Sequence, residues 1–116
     1  MPWFAAAMPV VPGGEESARK RGEGFRKHLA EYVRLNAAAQ LKRHLEFLQV
    51  TPMGSTMITL YEFAGDGSKL GRAFTGSEYD KWWISHLKDV HGIDASEPLA
   101  PPKVTLVHEW KAPTVS

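Results

Sequence analysis

The sequence predicts an α+β domain of ferredoxin-like order, with four strands and two helices arranged βαββαβ. Three observations predict it: apolar runs typical of strands, two stretches with helical periodicity, and short turn signals that separate them. Right-handed crossovers in this order give a four-stranded antiparallel sheet with both helices on one face. Because 116 residues suffice for one hydrophobic core and not for two, we predict a single domain over residues 1–116.

The first strand and the first helix come from residues 3–36. Residues 3–11 are continuously apolar, as in a strand covered on both faces, and Pro12-Gly13-Gly14 ends the run. From residue 15 to about residue 36, apolar side chains recur at helical spacing opposite a charged side. Gly22 lowers the helix propensity of this segment, and we interpret it as a point of close approach to the sheet.

A hairpin is predicted in the middle of the chain. Residues 44–51 and 56–63 are rich in strand formers, and the Pro-Met-Gly-Ser turn between them is short enough to make the pair antiparallel. In the second strand Thr59, Tyr61 and Phe63 should share one face. The glycine-containing residues 64–76 are predicted to form a loop, with a helical turn at 72–74.

The second helix carries the most distinctive pattern. Ser77 is a good N-cap, the helix should run to about Val90, and Gly92 suits the left-handed position just after it. At about 100° per residue, one side of this helix collects large apolar and aromatic side chains around a single histidine. The residues of that side are Tyr79, Trp82, Trp83, His86, Leu87 and Val90.

The predicted last strand completes the sheet and points to a homodimer. It spans residues 104–110 and follows a proline-rich crossing segment, residues 93–102. Neither face of any predicted strand is clearly polar, although only one face can lie under the helices. Because an exposed apolar face of that size usually marks an interface, we expect two copies to pack sheet against sheet.

Composition excludes several classes of function. Without cysteine there are no disulfides, thiolate metal sites or thiol nucleophile, which suits a cytoplasmic protein. A net charge of +1 without a basic stripe disfavours nucleic acid as a partner. The apolar start lacks a basic flank and is too short to span a membrane, so we expect no membrane association. No HExxH motif occurs, and no metal site is predicted.

Two stretches carry a resemblance to a known superfamily. They are Gln49-Val50-Thr51-Pro52-Met53-Gly54 and residues 82–94, which begin Trp82-Trp83-Ile84-Ser85-His86. With the element order, they resemble the dimeric α+β-barrel superfamily, which includes antibiotic-biosynthesis monooxygenases, stress-responsive barrel proteins and haem-degrading monooxygenases. In residues they resemble a small uncharacterised bacterial family within it. The resemblance implies a dimeric barrel with a ligand pocket between helices and sheet.

The haem-degrading branch is the part of that superfamily with a cofactor. Its pattern combines a helix histidine, a nearby tryptophan and an asparagine on the first strand. Here His91 with Trp82 or Trp83 has a suitable separation, but residues 3–11 contain no asparagine. The resemblance therefore favours a protein without a cofactor and keeps haem as an alternative.

His86 is the candidate catalytic residue. Burial on the apolar helix face would lower its pKa and leave a neutral imidazole that acts as a base or a hydrogen-bond partner. The alternative is a core histidine that bonds a backbone carbonyl. His91 is expected to be structural at the helix end, His28 is expected on the surface, and the sequence does not determine which way His44 and His108 face.

The candidate ligand-binding residues surround that histidine. Aromatic rings on the helix would supply the apolar wall, and polar groups of the central hairpin would orient the ligand, although core packing or dimer contacts would also explain them. These residues are Tyr79, Trp82, Trp83, Gln49 and Tyr61.

Three functions fit these residues. The first is a small-molecule pocket protein that acts on an apolar or aromatic metabolite as a cofactor-independent monooxygenase, cyclase or isomerase. The second is a non-catalytic ligand-binding or stress-response module, which needs fewer assumptions. The third is a haem-binding monooxygenase with His86 or His91 as axial ligand.

Overall fold

The chain folds as an α+β domain in the computed structural model, which describes residues 3–65, 77–94 and 105–114. The described elements follow in the order strand, three helices, two strands, helix. Their bounds are β1 Trp3–Pro9, α1 Glu15–Arg19, α2 Arg21–Lys27, α3 Leu29–Ala38, β2 Leu41–Thr51, β3 Gly54–Phe63 and α4 Glu78–His91.

The sheet has the strand order β1-β3-β2, and both of its pairings are antiparallel. The predicted central hairpin is confirmed: Glu46 lies opposite Thr59, and the register continues to Thr51 opposite Gly54. Gly54 turns the chain with a φ of 133°, which a side chain would disfavour. On the other side of β3, Phe4 lies opposite Tyr61.

The helices cover one face of this sheet, and alternation assigns each strand residue to a face. Thr59 and Phe63 are buried under the helices, as predicted for their shared face. A small core joins α1, α4 and β3 through Ala18, Val90 and Met57. The opposite, open face carries exposed apolar side chains, including Trp3 at 59% and Phe47 at 49% exposure.

The predicted first helix is three short helices in the structure. The backbone leaves helical geometry at Lys20, with φ −91° and ψ 5°, and again at His28, with φ −118° and ψ 37°. The predicted contact of Gly22 with the sheet is wrong, because a Cβ there would meet only the Arg26 side chain. Gly24 makes the close approach instead, since a Cβ at that position would overlap the Trp82 ring.

The predicted second helix is confirmed at both ends. The Ser77 side chain accepts a hydrogen bond from the Asp80 backbone N–H at 3.1 Å, which satisfies one donor of the first turn. Gly92 lies just past α4 with φ 69°, and its N–H donates to the Lys88 carbonyl. His86, Leu87 and Val90 are buried on the predicted side of the helix.

The predicted fourth strand is not formed in the described part of the chain. Residues 105–114 have no regular secondary structure and join no ladder, although their apolar residues follow a pattern typical of a strand. Leu106, Val107 and Trp110 are 74%, 92% and 73% exposed. A strand exists only through its ladder hydrogen bonds, so alternation alone does not create one. The loop predicted over 64–76, apart from residues 64 and 65, and most of the crossing segment lie outside the described residues.

Among residues 3–65, 77–94 and 105–114, no helix has the length and apolar character that a bilayer crossing requires.

Candidate functional site

Arg21, the first residue of α2, is the centre of a buried polar network. Its side chain is 2% exposed and lies between α4 and the sheet. Nε donates to His86 Nε2 at 2.9 Å, and a terminal nitrogen donates to His91 Nε2 at 2.7 Å. The other terminal nitrogen donates to Glu46 at 3.2 Å, which also makes it the partner of a buried ion pair. One guanidinium therefore connects α2, α4 and β2.

Glu46 extends the network across the sheet. Its Oε2 accepts from the Thr59 hydroxyl at 2.7 Å on the neighbouring strand, and its Oε1 bonds His44 Nε2 at 2.8 Å. Burial raises the pKa of Glu46, but the hydrogen bonds from His44 and Thr59 and the charge of Arg21 outweigh it and hold that pKa below its ordinary value. Glu46 is consequently a buried carboxylate with a full set of donors.

His86 and His91 are neutral in this environment. Burial first, and then the charge of Arg21, lowers the pKa of His86 to about 4. The pKa of His91 is lowered mainly by burial. Since Arg21 donates to both Nε2 atoms, each neutral ring carries its proton on Nδ1. Nδ1 of His91 uses that proton to donate to the Pro9 carbonyl at 2.7 Å.

Aromatic rings surround the network on its helix side. Phe25 of α2 contacts Trp82 at 5.5 Å and Trp83 at 5.7 Å between ring centroids. Trp82 is stacked on His86 at 5.0 Å, and the Arg21 guanidinium lies 5.2 Å from the Trp83 ring. Tyr79, Tyr32, His44 and Tyr61 continue the cluster toward β3.

A groove opens between the α1–α2 segment and α4. It has a volume of about 250 Å³. One side carries two lysines beside Gly24, and the other carries the stacked indole and imidazole of α4 beside an acid. The lining residues are Ser17, Lys20, Glu23, Gly24 and Lys27 on the first side and Trp82, Ser85, His86 and Asp89 on the second. The groove offers a flat aromatic wall with charges of both signs around it.

The structure brings most of the predicted site residues together, but in two places. His86 and Trp82 line the groove. Tyr79, Trp83 and Tyr61 lie in the aromatic cluster between the helices and the sheet, where the resemblance places the pocket. Gln49 is not brought to either place, because it alternates with His44 and Glu46 and is exposed on the open face opposite Thr56.

Sequence reasoning missed the charged centre of the site. Arg21 lies three residues after Ala18 and four before Phe25, so helical spacing puts it on the buried side, but a charged residue does not contribute to an apolar pattern. His44 and Glu46 did carry a signal: they are two residues apart on a strand, so they share a face, and polar side chains on a helix-covered face need partners. His28, expected on the surface, is partly buried and stacks on Trp82 at 5.7 Å.

Histidine side chains can also bind metal ions or haem iron. In the described ranges, no group of three or more potential ligand residues could hold a metal ion. Haem ligation needs an imidazole nitrogen with a free lone pair, and Arg21 occupies Nε2 of both His86 and His91. The two residues do not fit an axial role unless their bonds to Arg21 break.

Comparison with known proteins leaves the superfamily resemblance as a prediction. No family model, no curated protein and no solved structure matches this chain.

Proposed function

We propose that this chain binds a small aromatic metabolite in the groove between α2 and α4 and acts on it without a cofactor. The reaction would be of the monooxygenase, cyclase or isomerase type, in which a substrate oxygen gains or loses negative charge. The observation that carries the proposal is the stacked pair of Trp82 and a neutral His86 on the groove wall. A chain without cysteine suits the cytoplasm, where we place this activity.

The size and lining of the groove limit the ligand. Its volume of about 250 Å³ is just below the usual range for drug-sized ligands, which favours a molecule of one or two rings. The part of the Trp82 ring that lines the groove would contact such a ring. Lys20 and Lys27 would attract a phenolate or carboxylate, while Glu23 and Asp89 keep the groove from being strongly basic.

His86 would act as an orienting donor. Its Nε2 lone pair is already engaged by Arg21, so its remaining function is the Nδ1 proton. A hydrogen bond from Nδ1 to a substrate oxygen would stabilise a developing phenolate or enolate, and the nearby Arg21 charge would strengthen it. A role as general base would require the bond to Arg21 to break first.

Binding and turnover of naphthol test this proposal. Quenching of tryptophan fluorescence by naphthol should saturate, and oxygen uptake or product formation should accompany it. His86→Ala should weaken binding about tenfold or more and lower turnover, because it removes the donor and the stacked ring. Ser85→Ala, which changes the same groove without touching either ring, is the matched control. Unchanged turnover in His86→Ala would refute the catalytic role.

The second candidate is a non-catalytic binding module. It is favoured by the hydrogen bonds of Arg21, because each of its three nitrogens already donates to a protein partner. Saturable naphthol binding in the wild type without any product, under air and under nitrogen, would select this function over the first.

Haem binding is the third candidate. It requires His86 or His91 to exchange Arg21 for iron. Titration with hemin tests it: a sharp Soret band at one haem per chain would support it, and a broad unbound spectrum would remove it.

We also propose that the chain acts as a homodimer. The support is the open sheet face, where Trp3 and Phe47 are 59% and 49% exposed beside Ile58 and Leu60. Side chains of this kind on a sheet face are usually covered by another layer. A second copy can cover them through the same face by two-fold symmetry.

A further inference from the structure

A three-residue hydrogen-bond chain lies beside Phe25 and includes none of the residues that line the groove. The Tyr32 hydroxyl bonds His44 Nδ1 at 2.7 Å, and His44 Nε2 bonds Glu46 Oε1 at 2.8 Å. The His44 and Glu46 side chains are only 7% and 14% exposed. Tyr32 belongs to α3 and the other two residues belong to β2, so the hydrogen-bond chain joins two separate elements.

The positions of the protons in this hydrogen-bond chain follow from Glu46. An ionised carboxylate only accepts, so Nε2 of His44 must carry a proton and donate it to Glu46. In the neutral ring, Nδ1 is then the acceptor, and the Tyr32 hydroxyl donates to it. Thr59 and Arg21 hold the carboxylate from its other oxygen. The result is a hydroxyl, a base that can take its proton, and a carboxylate that orients the base.

We propose that Tyr32 is a nucleophile activated by His44 and oriented through Glu46, and that its substrates are small activated acyl compounds such as aryl esters. Hydrogen-bonded nucleophile, base and orienting group are the geometric signature of covalent catalysis. Burial raises the pKa of Tyr32, so the phenolate does not form unaided and an adjacent base is needed.

The acyl-transfer step balances with these three groups. Tyr32 Oη bonds the acyl carbon, the bond from that carbon to the aryl oxygen breaks, and aryloxide leaves with the electron pair. The phenolic proton moves to His44 Nδ1, and Glu46 stabilises the imidazolium. After His44 loses this proton to solvent, it takes one from water, and the hydroxide displaces Oη. Oη then regains that proton, which releases a carboxylic acid.

Labelling with phenylmethanesulfonyl fluoride tests the nucleophile directly. Oη would bond to sulfur, fluoride would leave, and the proton would pass to His44. Peptide mapping by mass spectrometry should find Tyr32 modified at least about tenfold faster than Tyr61 and Tyr79, since general-base assistance contributes about a hundredfold or more. The two reference tyrosines lie in the same cluster, and burial raises their pKa values as well.

Two pairs of variants make the test specific. Glu46→Gln and His44→Gln should slow the labelling of Tyr32 about tenfold or more. Glu31→Gln, whose exposed carboxylate bonds Arg34, and His28→Gln, whose ring stacks on Trp82, should leave it unchanged. Tyr32→Phe should lose the label and keep naphthol quenching, which separates this site from the groove. Labelling of wild-type Tyr32 no faster than that of Tyr79 would overturn the proposal without any variant.

Discussion

At the scale of single residues, Arg21 determines how the buried side chains are arranged. Its guanidinium has separate partners on α4 and on β2, and it also contacts the Trp83 ring. A planar group with five donors can bridge three elements in this way, whereas a lysine ammonium is a single point with one flexible stem. The network therefore depends on arginine and not merely on a positive charge.

Replacement of Arg21 should show this dependence. Arg21→Lys keeps the positive charge but loses the planar guanidinium with its several donors, so it leaves Glu46 or the histidines without a donor in a buried site. We expect the free energy of unfolding to fall by about 2–4 kcal/mol. Urea unfolding measures it, with Arg26→Lys on the exposed side of the same helix as a control that changes it by less than about 0.5 kcal/mol. Equal losses in the two variants would contradict the bridging role.

His86 should make stability depend on pH. The unfolded chain has an ordinary histidine pKa near 6.5, whereas the folded pKa is about 4. Between these values the unfolded state binds a proton that the folded state does not, so stability falls as the pH is lowered. From about pH 7 to pH 5 the loss should be about 2 kcal/mol. His91 contributes a loss of stability in the same direction. Urea unfolding of His86→Gln should therefore show a shallower dependence of stability on pH than the wild type, and the difference is the contribution of His86.

The sequence predicted the burial of His86 on its helix correctly, but it did not predict the burial of Arg21. The direction of His86 follows from the phase of a long helix, and α4 is regular from Glu78 to His91. Arg21 has helical spacing from the buried Ala18 and Phe25 as well, but its charge leaves it out of a pattern built on apolar residues. The contacts of Arg21 with Glu46 and His91 also span 25 and 70 residues, which local periodicity does not encode.

At the scale of elements, the contact between α2 and α4 is made possible by one glycine. A Cβ at Gly24 would overlap the Trp82 ring, so only glycine lets the indole lie against the α2 backbone. The same contact forms the floor of the groove, because Gly24 and Trp82 both line it. Glycine at this position lowers the helix propensity of α2 but allows the close packing with α4.

Two glycine variants in α2 should have opposite effects. Gly24→Ala gains helix propensity but displaces Trp82, and we expect a net loss of about 1–3 kcal/mol and weaker naphthol binding. Gly22→Ala meets only the flexible Arg26 side chain, with Nη1 at 3.3 Å, and should gain about 0.5–1 kcal/mol. Thermal or urea unfolding of the pair measures both. Stabilisation by Gly24→Ala would mean that Trp82 does not lie against α2.

The order of the elements was predictable where local signals are strong. Ser77 and Gly92 place α4 to within a residue, and the Pro-Met-Gly-Ser turn places the hairpin. The division of the first helix was not predictable, because Lys20 and His28 are tolerated inside helices and tertiary contacts decide their backbone angles. The last strand was predicted from alternation alone, and residues 105–114 join no ladder.

At the scale of the whole molecule, the two faces of the sheet differ in what covers them. The helix side is closed by the core around Met57 and Val90 and by the Arg21 network. The open side leaves Trp3 and Phe47 largely exposed, and the segment 105–114 exposes Trp110 as well. A second copy of the chain would bury the apolar surface that one copy leaves in water.

Disruption of the open face should yield monomers. Phe47→Lys places a charge in the proposed interface, so sedimentation velocity should show a dimer for the wild type and a monomer for the variant. Glu16→Lys, on the exposed side of α1, changes charge away from this face and should remain dimeric. A monomeric wild type at micromolar concentration would contradict the dimer.

The proposed site depends on a neutral His86 that offers its Nδ1 proton to a ligand, and long-range ¹H–¹⁵N spectra of the histidine rings observe that proton directly. We expect the Nδ1–H tautomer for His86, no titration above about pH 5, and a marked shift of its ring signals on addition of naphthol. A His86 ring that titrates near its ordinary pKa and does not respond to naphthol would contradict the proposed site.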